Sequence, residues 1–243
     1  MRYRVTTSTN DLAKAAGRAG VVANTVFMAD TQTLGRGRRE RSWESPIGGL
    51  WMSWLTRPLV RAEVWPVFAL AAAVSVVRVL RALGVESRIK WPNDVLVCGK
   101  KVAGILCESG YSSTGEPFVV VGIGINLNVS SETLPDSLRS QATSVVDLTG
   151  VRVDIVETAL KLAQSLACLA RKIESGSTEH VLRAWRHNSD MLGRNVRVYL
   201  ETGSISGVAE DIDETGCLLL RTDTGVVKVV AADVSLRLDA GGV

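Results

Sequence analysis

The chain has 243 residues, 46% hydrophobic and 22% charged, with a formal net charge of +3. That is enough for one large domain and a small one, and the composition excludes intrinsic disorder. The mild charge is far from that of a dedicated nucleic-acid binder, so basic character, where it is concentrated, points to a site. Cys98, Cys107, Cys168 and Cys217 are widely spaced with no CxxC pair. They read as reduced, mostly buried thiols, as expected in the cytoplasm, rather than disulfides or zinc ligands. His180 and His187, the only histidines, read as helix-surface residues and exclude a multi-histidine metal site. The start Met1-Arg2-Tyr3-Arg4 shows no signal peptide, and the apolar run 64–77 reads as a buried helix too short to span a bilayer.

In chain order, Ser8, Thr9 and Asn10 read as capping residues of a helix that continues from Leu12 and stops at Gly20. Hydroxyls and N–H groups at such a start also suit a neutral polar ligand group. Strands are expected at Val21-Val22 and over 25–29. Gln32 then stands where the chain releases Gly35-Arg36-Gly37-Arg38-Arg39-Glu40-Arg41-Ser42-Trp43. Glycine lets backbone N–H groups approach a ligand, and the guanidinium fork matches carboxylate and phosphate oxygens. This loop therefore suits a small anion carrying both groups. A solvated basic loop or a nucleic-acid patch is the other reading. The strand 49–55 follows, with Trp51 and Trp54 as core or as pocket wall.

Pro66 opens a helix through Ala69, Leu70, Ala73, Val77 and Leu80 to a stop at Gly84. Trp91-Pro92 interrupts the strand 85–97, because proline brings no donor to a ladder, and the kink displays Lys90, Asn93 and Asp94. Cys98-Gly99-Lys100-Lys101 turns into the hairpin partner 102–108. Lys101 is there an edge-protecting charge or a site residue. The strand 118–128 carries Gly122 and Gly124, where a backbone or ligand comes close, and Asn126, a base or ribose contact or a turn residue. Its Gly-Ile-Gly lacks the third glycine and following helix of a dinucleotide fingerprint. Residues 130–150 read as irregular. Asp154 caps a long helix with Ile155, Ala159, Leu162, Leu166, Leu169 and Ile173 on one face, and Thr178 caps a shorter one. From Gly193 onward, short alternating strands with turns at 201–203, 213–216 and 223–225 predict a small β-barrel. The expected domains are 1–190 and 191–243.

Ser8-Thr9-Asn10, Gln32-Thr33-Leu34-Gly35-Arg36-Gly37-Arg38-Arg39, Gly48-Gly49-Leu50-Trp51-Met52-Ser53, Lys90-Trp91-Pro92-Asn93-Asp94, Lys101-Val102-Ala103-Gly104-Ile105-Leu106, Gly122-Ile123-Gly124-Ile125-Asn126 and Ser235-Leu236-Arg237 occur in one order. In that order they resemble the biotin protein ligases over essentially the whole chain. The arginine–glycine loop combined with Lys-Trp-Pro-Asn-Asp is the specific part. The resemblance implies an α+β fold: a mixed sheet flanked by helices, like the class II aminoacyl-tRNA synthetase catalytic domain, then a small C-terminal SH3-like β-barrel. It implies two steps. Biotin's carboxylate attacks the α-phosphate of ATP, with Mg2+, to give biotinyl-5′-AMP. An acceptor lysine of a biotin carboxyl carrier protein or domain then attacks that anhydride.

By residue match, the resemblance places biotin against Ser8, Thr9, Asn10, Gln32, Gly35, Arg36, Gly37, Arg38, Lys101 and Gly104. It places ATP or the adenylate against Arg36, Arg39, Arg41, Trp43, Asn93, Asn126 and Arg237. Lys101, Arg38 and Asp94 carry the catalysis, and Asp94 helps either the incoming lysine or a magnesium ion brought by ATP; no protein-only metal cluster is implied. Leu34 stands where alanine is common, a change of pocket shape. Few residues precede Ser8, which leaves no room for a helix-turn-helix domain, so no DNA binding is expected. No membrane association is expected, and a homodimer through the sheet stays open. A lipoate or octanoate ligase of the same superfamily is the nearest rival, yet its aliphatic ligand needs neither the polar start nor the arginine loop. A nucleic-acid-binding protein would need a positive face wider than one loop.

Overall fold

The computed structural model describes residues 1–200, 203–230 and 233–236. Among these, seven strands make one sheet: β1 (Arg2–Thr6), β2 (Thr25–Gln32), β3 (Leu50–Thr56), β4 (Arg88–Lys90), β5 (Asp94–Val97), β6 (Lys100–Tyr111) and β7 (Pro117–Ile125). Their spatial order is β1-β2-β3-β7-β6-β5-β4. Only β1 and β2 run parallel, so the sheet is mixed. The helices are α1 (Thr9–Arg18), α2 (Val67–Ala82), the short α3 (Asp136–Arg139) and α4 (Val145–Thr149), then α5 (Ile155–Glu174) and α6 (Thr178–Asn188).

Strand pleating sends alternate side chains to opposite faces. On β3, Leu50, Met52 and Trp54 join the large core under α2, α5 and α6, while Leu55 joins a smaller cluster with Phe27, Phe118, Val120 and Ala13 of α1. Every residue of β3 is buried, beneath helices on one face and beneath α1 and the segment around Trp43 on the other. Gly17 lets α1 lie on the sheet, since a Cβ there would sit 2.7 Å from the Phe118 ring. The segment 62–82 around α2 is in fact long and apolar enough to cross a membrane, which corrects the expectation from its length. Burial of 67% of its apolar 18-residue window among other elements marks it as a core helix.

Several local expectations change. The break at Trp91-Pro92, whose peptide bond is cis, is not a kink in one strand. It is the turn of a hairpin, with β4 and β5 antiparallel and Lys90 opposite Asp94. Val21-Val22 lies outside any strand, whereas β1 forms from the polar start because its parallel ladder to β2 supplies the partners its sequence pattern hides. Ser177, not Thr178, holds the N-cap position of α6, and 130–150 contains α3 and α4. The cysteines are unpaired; Cys217 is buried and Cys107 is half-buried with its thiol enclosed, whereas Cys98 occupies a hairpin turn and Cys168 an exposed helix face.

Five further strands, β8 (Asn195–Leu200), β9 (Gly203–Ile212), β10 (Leu218–Thr222), β11 (Gly225–Val229) and β12 (Asp233–Leu236), form a small antiparallel, SH3-like sheet ordered β11-β10-β9-β8-β12. Its apolar face, including Val196, Val198, Ala209, Ile212 and Leu218, joins the large core. Arg186 of α6 reaches across to Asp211 at 2.6 Å and to the Ile212 carbonyl at 3.0 Å.

The β9–β10 turn is organised by Asp213. Its Oδ1 accepts from the Thr215 and Cys217 N–H groups, both at 2.9 Å, and from the Thr215 hydroxyl at 2.7 Å. Its Oδ2 lies 2.6 Å from Lys228 Nζ. Burial alone would raise this carboxyl; the hydrogen bonds, that of Lys228 foremost, outweigh it and hold the group below the usual range. A depressed folded pKa stabilises above the unfolded value near ~4 and is lost as pH falls through the folded one. Asp213→Ala, which removes these acceptors, is therefore expected to cost about 2 kcal/mol and lower the melting temperature by roughly 4–8 °C at pH 7. Calorimetry should show the deficit shrinking below about pH 4; a pH-independent deficit contradicts the charge argument.

Candidate active site

A cleft of about 600 Å³ opens on the sheet face away from α2. Cross-strand partners share a face, and the register sets two rows beneath it. In one, Asp94 stands opposite Gly104, Gly104 opposite Gly124, and Gly124 opposite Trp51. In the other, Leu106 stands opposite Gly122 and Gly122 opposite Ser53. The glycines are needed for what lies on them. A Cβ at Gly124 would sit 2.7 Å from Trp43 Nε1, one at Gly104 would sit 2.8 Å from the Trp43 ring, and one at Gly122 would collide with the Asn10 side-chain oxygen. Trp43 thus rests on a two-glycine floor. Trp51 meets it edge-on at 6.3 Å and 73°, and Lys101 Nζ stands 4.9 Å from its ring centroid, within cation–π range.

The arginine loop is folded back on itself. Trp43 N–H donates to the Gly35 carbonyl at 2.9 Å, Gly37 N–H donates to Arg41 at 2.7 Å, and Arg36 pairs with Ser42. Arg39 and Glu40 turn the tip with φ of 52° and 57°. The tip is exposed, with Arg39 on it and not among the residues that line the cleft, and Gly35 lies packed against the Trp43 carbonyl behind it.

At the polar end, the Ser8 hydroxyl accepts from Asn10 N–H at 3.3 Å and caps α1. Thr9 N–H donates to Gln32 Oε1 at 2.8 Å, and Gln32 Nε2 donates to the Ser45 hydroxyl at 2.8 Å. The fully buried Ser53 hydroxyl lies 2.8 Å from Thr9 Oγ1 and 2.5 Å from Asn10 Oδ1. Asn10 Nδ2 donates to Glu108 at 2.7 Å, which fixes the amide with its oxygen toward Ser53. Glu108 also pairs with Lys14 at 2.7 Å, and Arg36 grips Asp11 through two bonds of 2.6 and 3.1 Å. The Asp11 hydrogen bond raises the Arg36 pKa against the opposing effect of burial, so this guanidinium stays charged. Asp11, Lys14, Ser53 and Glu108 are absent from the sequence-based set. Glu108 was within reach of it, since it follows Gly104 and Leu106 at the strand period of two.

At the cationic end, Lys101 Nζ stands 2.6 Å from Asp94 Oδ1, a charge contact whose angle falls short of a hydrogen bond. Asn93 donates to the Ile105 carbonyl at 3.0 Å and accepts from Arg38 at 3.4 Å. Asn126, buried, donates to the Thr143 carbonyl at 3.0 Å. Lys101 exchanges backbone hydrogen bonds with Gln141 and Thr143, which seats Leu134, Leu138 and Ala142 at the cleft edge. Ser8, Thr9, Asn10, Gln32, Arg36, Gly37, Arg38, Arg41, Trp43, Asn93, Asp94, Lys101, Gly104 and Asn126 line this one cleft, as do Lys90 and Glu44. Arg237 lies outside the described residues. Trp51 and Trp54 are core residues. Among the described residues no group of three or more His, Cys, Asp or Glu could hold a metal ion. Burial pushes the Cys107 thiol up to about 12, with Glu108 adding to it, so this thiol is no nucleophile.

Residues 3–126 match the Biotin/lipoate A/B protein ligase family, and residues 191–237 match the Biotin protein ligase C terminal domain. The bifunctional ligase/repressor BirA of Bacillus subtilis is 35% identical over 239 residues, 96% of this chain and 73% of its own length. The biotin--[acetyl-CoA-carboxylase] ligase of Mycobacterium tuberculosis is 35% identical over 94% of this chain and 85% of its own. The chain belongs to the biotin protein ligase family. The fold agrees: the biotin protein ligase from Aquifex aeolicus in complex with biotin and ATP superposes with a TM-score of 0.83 at 29% identity, covering 98% of this chain and 97% of that one.

In this ligase the glycine floor is the anchor of the arginine loop. Gly124→Ala places a methyl where the Trp43 indole rests. Tryptic cleavage within 36–41 is expected to accelerate about tenfold, the equivalent of ~1.4 kcal/mol of local opening, with little change in global melting. Unaltered cleavage would show that the indole does not hold the loop.

Proposed function

We propose that the protein is an ATP-dependent ligase that joins biotin to an acceptor lysine of a biotin carboxyl carrier protein through biotinyl-5′-AMP, with residues 1–190 as catalytic body and 191–243 as the small barrel. The carrying observation is that a polar end lined by the buried Ser8, Thr9 and Asn10 and a cationic end share one cleft over the glycine floor. A ureido head group needs both acceptors and donors in a dry pocket, which Ser8, Thr9, Asn10 and Gln32 supply. Its carboxylate, an alkyl chain away, then meets Lys101 and the arginine loop.

Adenylation forms an O–P bond from the carboxylate to the α-phosphorus and expels pyrophosphate. Negative charge builds on the phosphoryl oxygens, and fixed cations held ready beside them lower that barrier. Lys101, Arg36 and Arg38 fill that role, and Trp43 offers an aromatic face to the adenine. An incoming phosphate competes with Asp94 for Lys101. That frees the Asp94 carboxylate to accept a proton from the acceptor lysine as its amine attacks the acyl carbon and AMP leaves. Alternatively, Asp94 on the cleft wall is the carboxylate that would hold a magnesium ion arriving with ATP. The ion supplies charge neutralisation of the phosphates. Dependence on ATP suits a cytoplasmic enzyme.

Biotin, but not lipoate, is expected to support ATP–pyrophosphate exchange, and mass spectrometry should detect biotinyl-adenylate; exchange with lipoate alone transfers the assignment to a lipoate ligase. Lys101→Ala and Arg38→Ala should each lose roughly 10²–10³ in exchange rate while keeping the wild-type circular dichroism. Wild-type turnover in both would overturn the site map. The cationic residues crowd one cleft rather than a broad face, so polynucleotide binding should be weak and vanish on raising salt from 50 to 200 mM, roughly. Tight, salt-resistant binding in a filter assay would favour the nucleic-acid reading.

A further inference from the structure

Trp91 is almost wholly buried, at 2% exposed, three residues before the cleft-lining Asp94. Its indole Nε1–H crosses to the small sheet and donates to the Gly216 carbonyl at 3.0 Å, while its backbone N–H points at Met191 Sδ at 3.1 Å. A partner for a buried indole is not automatic in this chain: the Nε1 atoms of Trp43 and Trp185 have none among the described residues. Phenylalanine would fill most of the same core space without reaching across.

Gly216 is itself tightly placed. It adopts φ of 83° against Leu70, donates to the Asp213 carbonyl at 3.0 Å, and sits in the turn that the Asp213 side chain organises. On the other side, Trp91 leads through Pro92 into Asn93, whose carbonyl accepts from Ile105 at 2.9 Å, and then into Asp94, which contacts Lys101. We propose that Trp91 is a positioning residue. Its hydrogen bond to the Gly216 carbonyl fixes the Asn93-Asp94 turn, so the small sheet sets the geometry at Lys101 through the turn 213–217. The polar end is held by hydrogen bonds with Gln32 of β2, Ser53 of β3 and Glu108 and Leu106 of β6, and among the described residues none of these is a hydrogen-bond partner of Trp91, Gly216, Asn93 or Asp94. The path therefore acts on the chemical step and not on the recognition of biotin's head group. This inference rests on the ligase reading above.

The test is steady-state biotin-dependent ATP–pyrophosphate exchange on the full chain, with melting temperatures measured in parallel, for Trp91→Phe, Asp213→Ala and the double variant. Trp91→Phe removes the donor and keeps the bulk; kcat should fall about tenfold, as a small misplacement of a reacting group does, with KM for biotin within about twofold of wild type. Asp213→Ala, distant from the cleft, should lower kcat in the same pattern. The double variant should be no slower than Trp91→Phe, because both act through one carbonyl. Multiplying losses, a matching rise in KM for biotin, or wild-type kcat in a folded Trp91→Phe would each overturn the proposal. Should Trp91→Phe fail to fold, Asp213→Ala decides alone, and undiminished kcat there overturns it. Absence of exchange in the wild type would instead remove the ligase reading and this inference with it.

Discussion

Three residues standing side by side across three strands, Asp94, Gly104 and Gly124, constrain everything above them. Two have no side chain, so the sheet surface is bare at that point and an indole can settle on it. Trp43 does so, and it closes the arginine loop that precedes it. The third carries the carboxylate that meets Lys101. Cleft depth, loop placement and the position of the amine thus follow from a single row of backbone pairing. Side chains at either glycine would leave the arginines attached to a loop with nowhere to rest.

The second constraint is charge. Cations that crowd a cleft repel one another, and here internal carboxylates hold them apart. Arg36 is gripped by Asp11, Lys14 by Glu108, and Lys101 by Asp94. These groups are partly exposed, so each pair adds little to stability. Their value is orientation: side chains already paired present their remaining donors in fixed directions. An anionic ligand replaces one carboxylate with another oxygen anion, an exchange that leaves little charge unmatched. The polar end works differently. There Ser53 and Glu108 orient Thr9 and Asn10 from behind, at a buried position where an unpaired polar group would be costly.

The small sheet is not an appendage. Its apolar residues belong to the same core as α2, and Arg186 and Trp91 tie it by hydrogen bonds into carbonyls of β9 and of the following turn. One of those ties comes from the motif that also supplies Asn93 and Asp94. Architecture and chemistry therefore meet at Trp91, which a description of either sheet alone would treat as filler.

Much was legible in the residues themselves. The cap at Ser8, the start at Pro66, the cap at Asp154 and the alternating strands after Gly193 are local events, decided by contacts within a few residues, and a local pattern can carry them. The chemical character of the arginine loop and of Lys-Trp-Pro-Asn-Asp is likewise carried by residue type. What needed the tertiary structure was pairing over long separations. Ser53 reaches Asn10, Glu108 reaches Asn10 and Lys14, and Trp91 reaches Gly216, each across dozens of positions. No short-range period announces such partners, since strand order and register choose them. The same reason explains β1, an edge strand that exists through its ladder to β2, and the hairpin at Trp91-Pro92 that the chain alone presents as one broken strand. Residue chemistry determined which groups this protein brings to its reaction; only the register of the sheet decided which of them face one another.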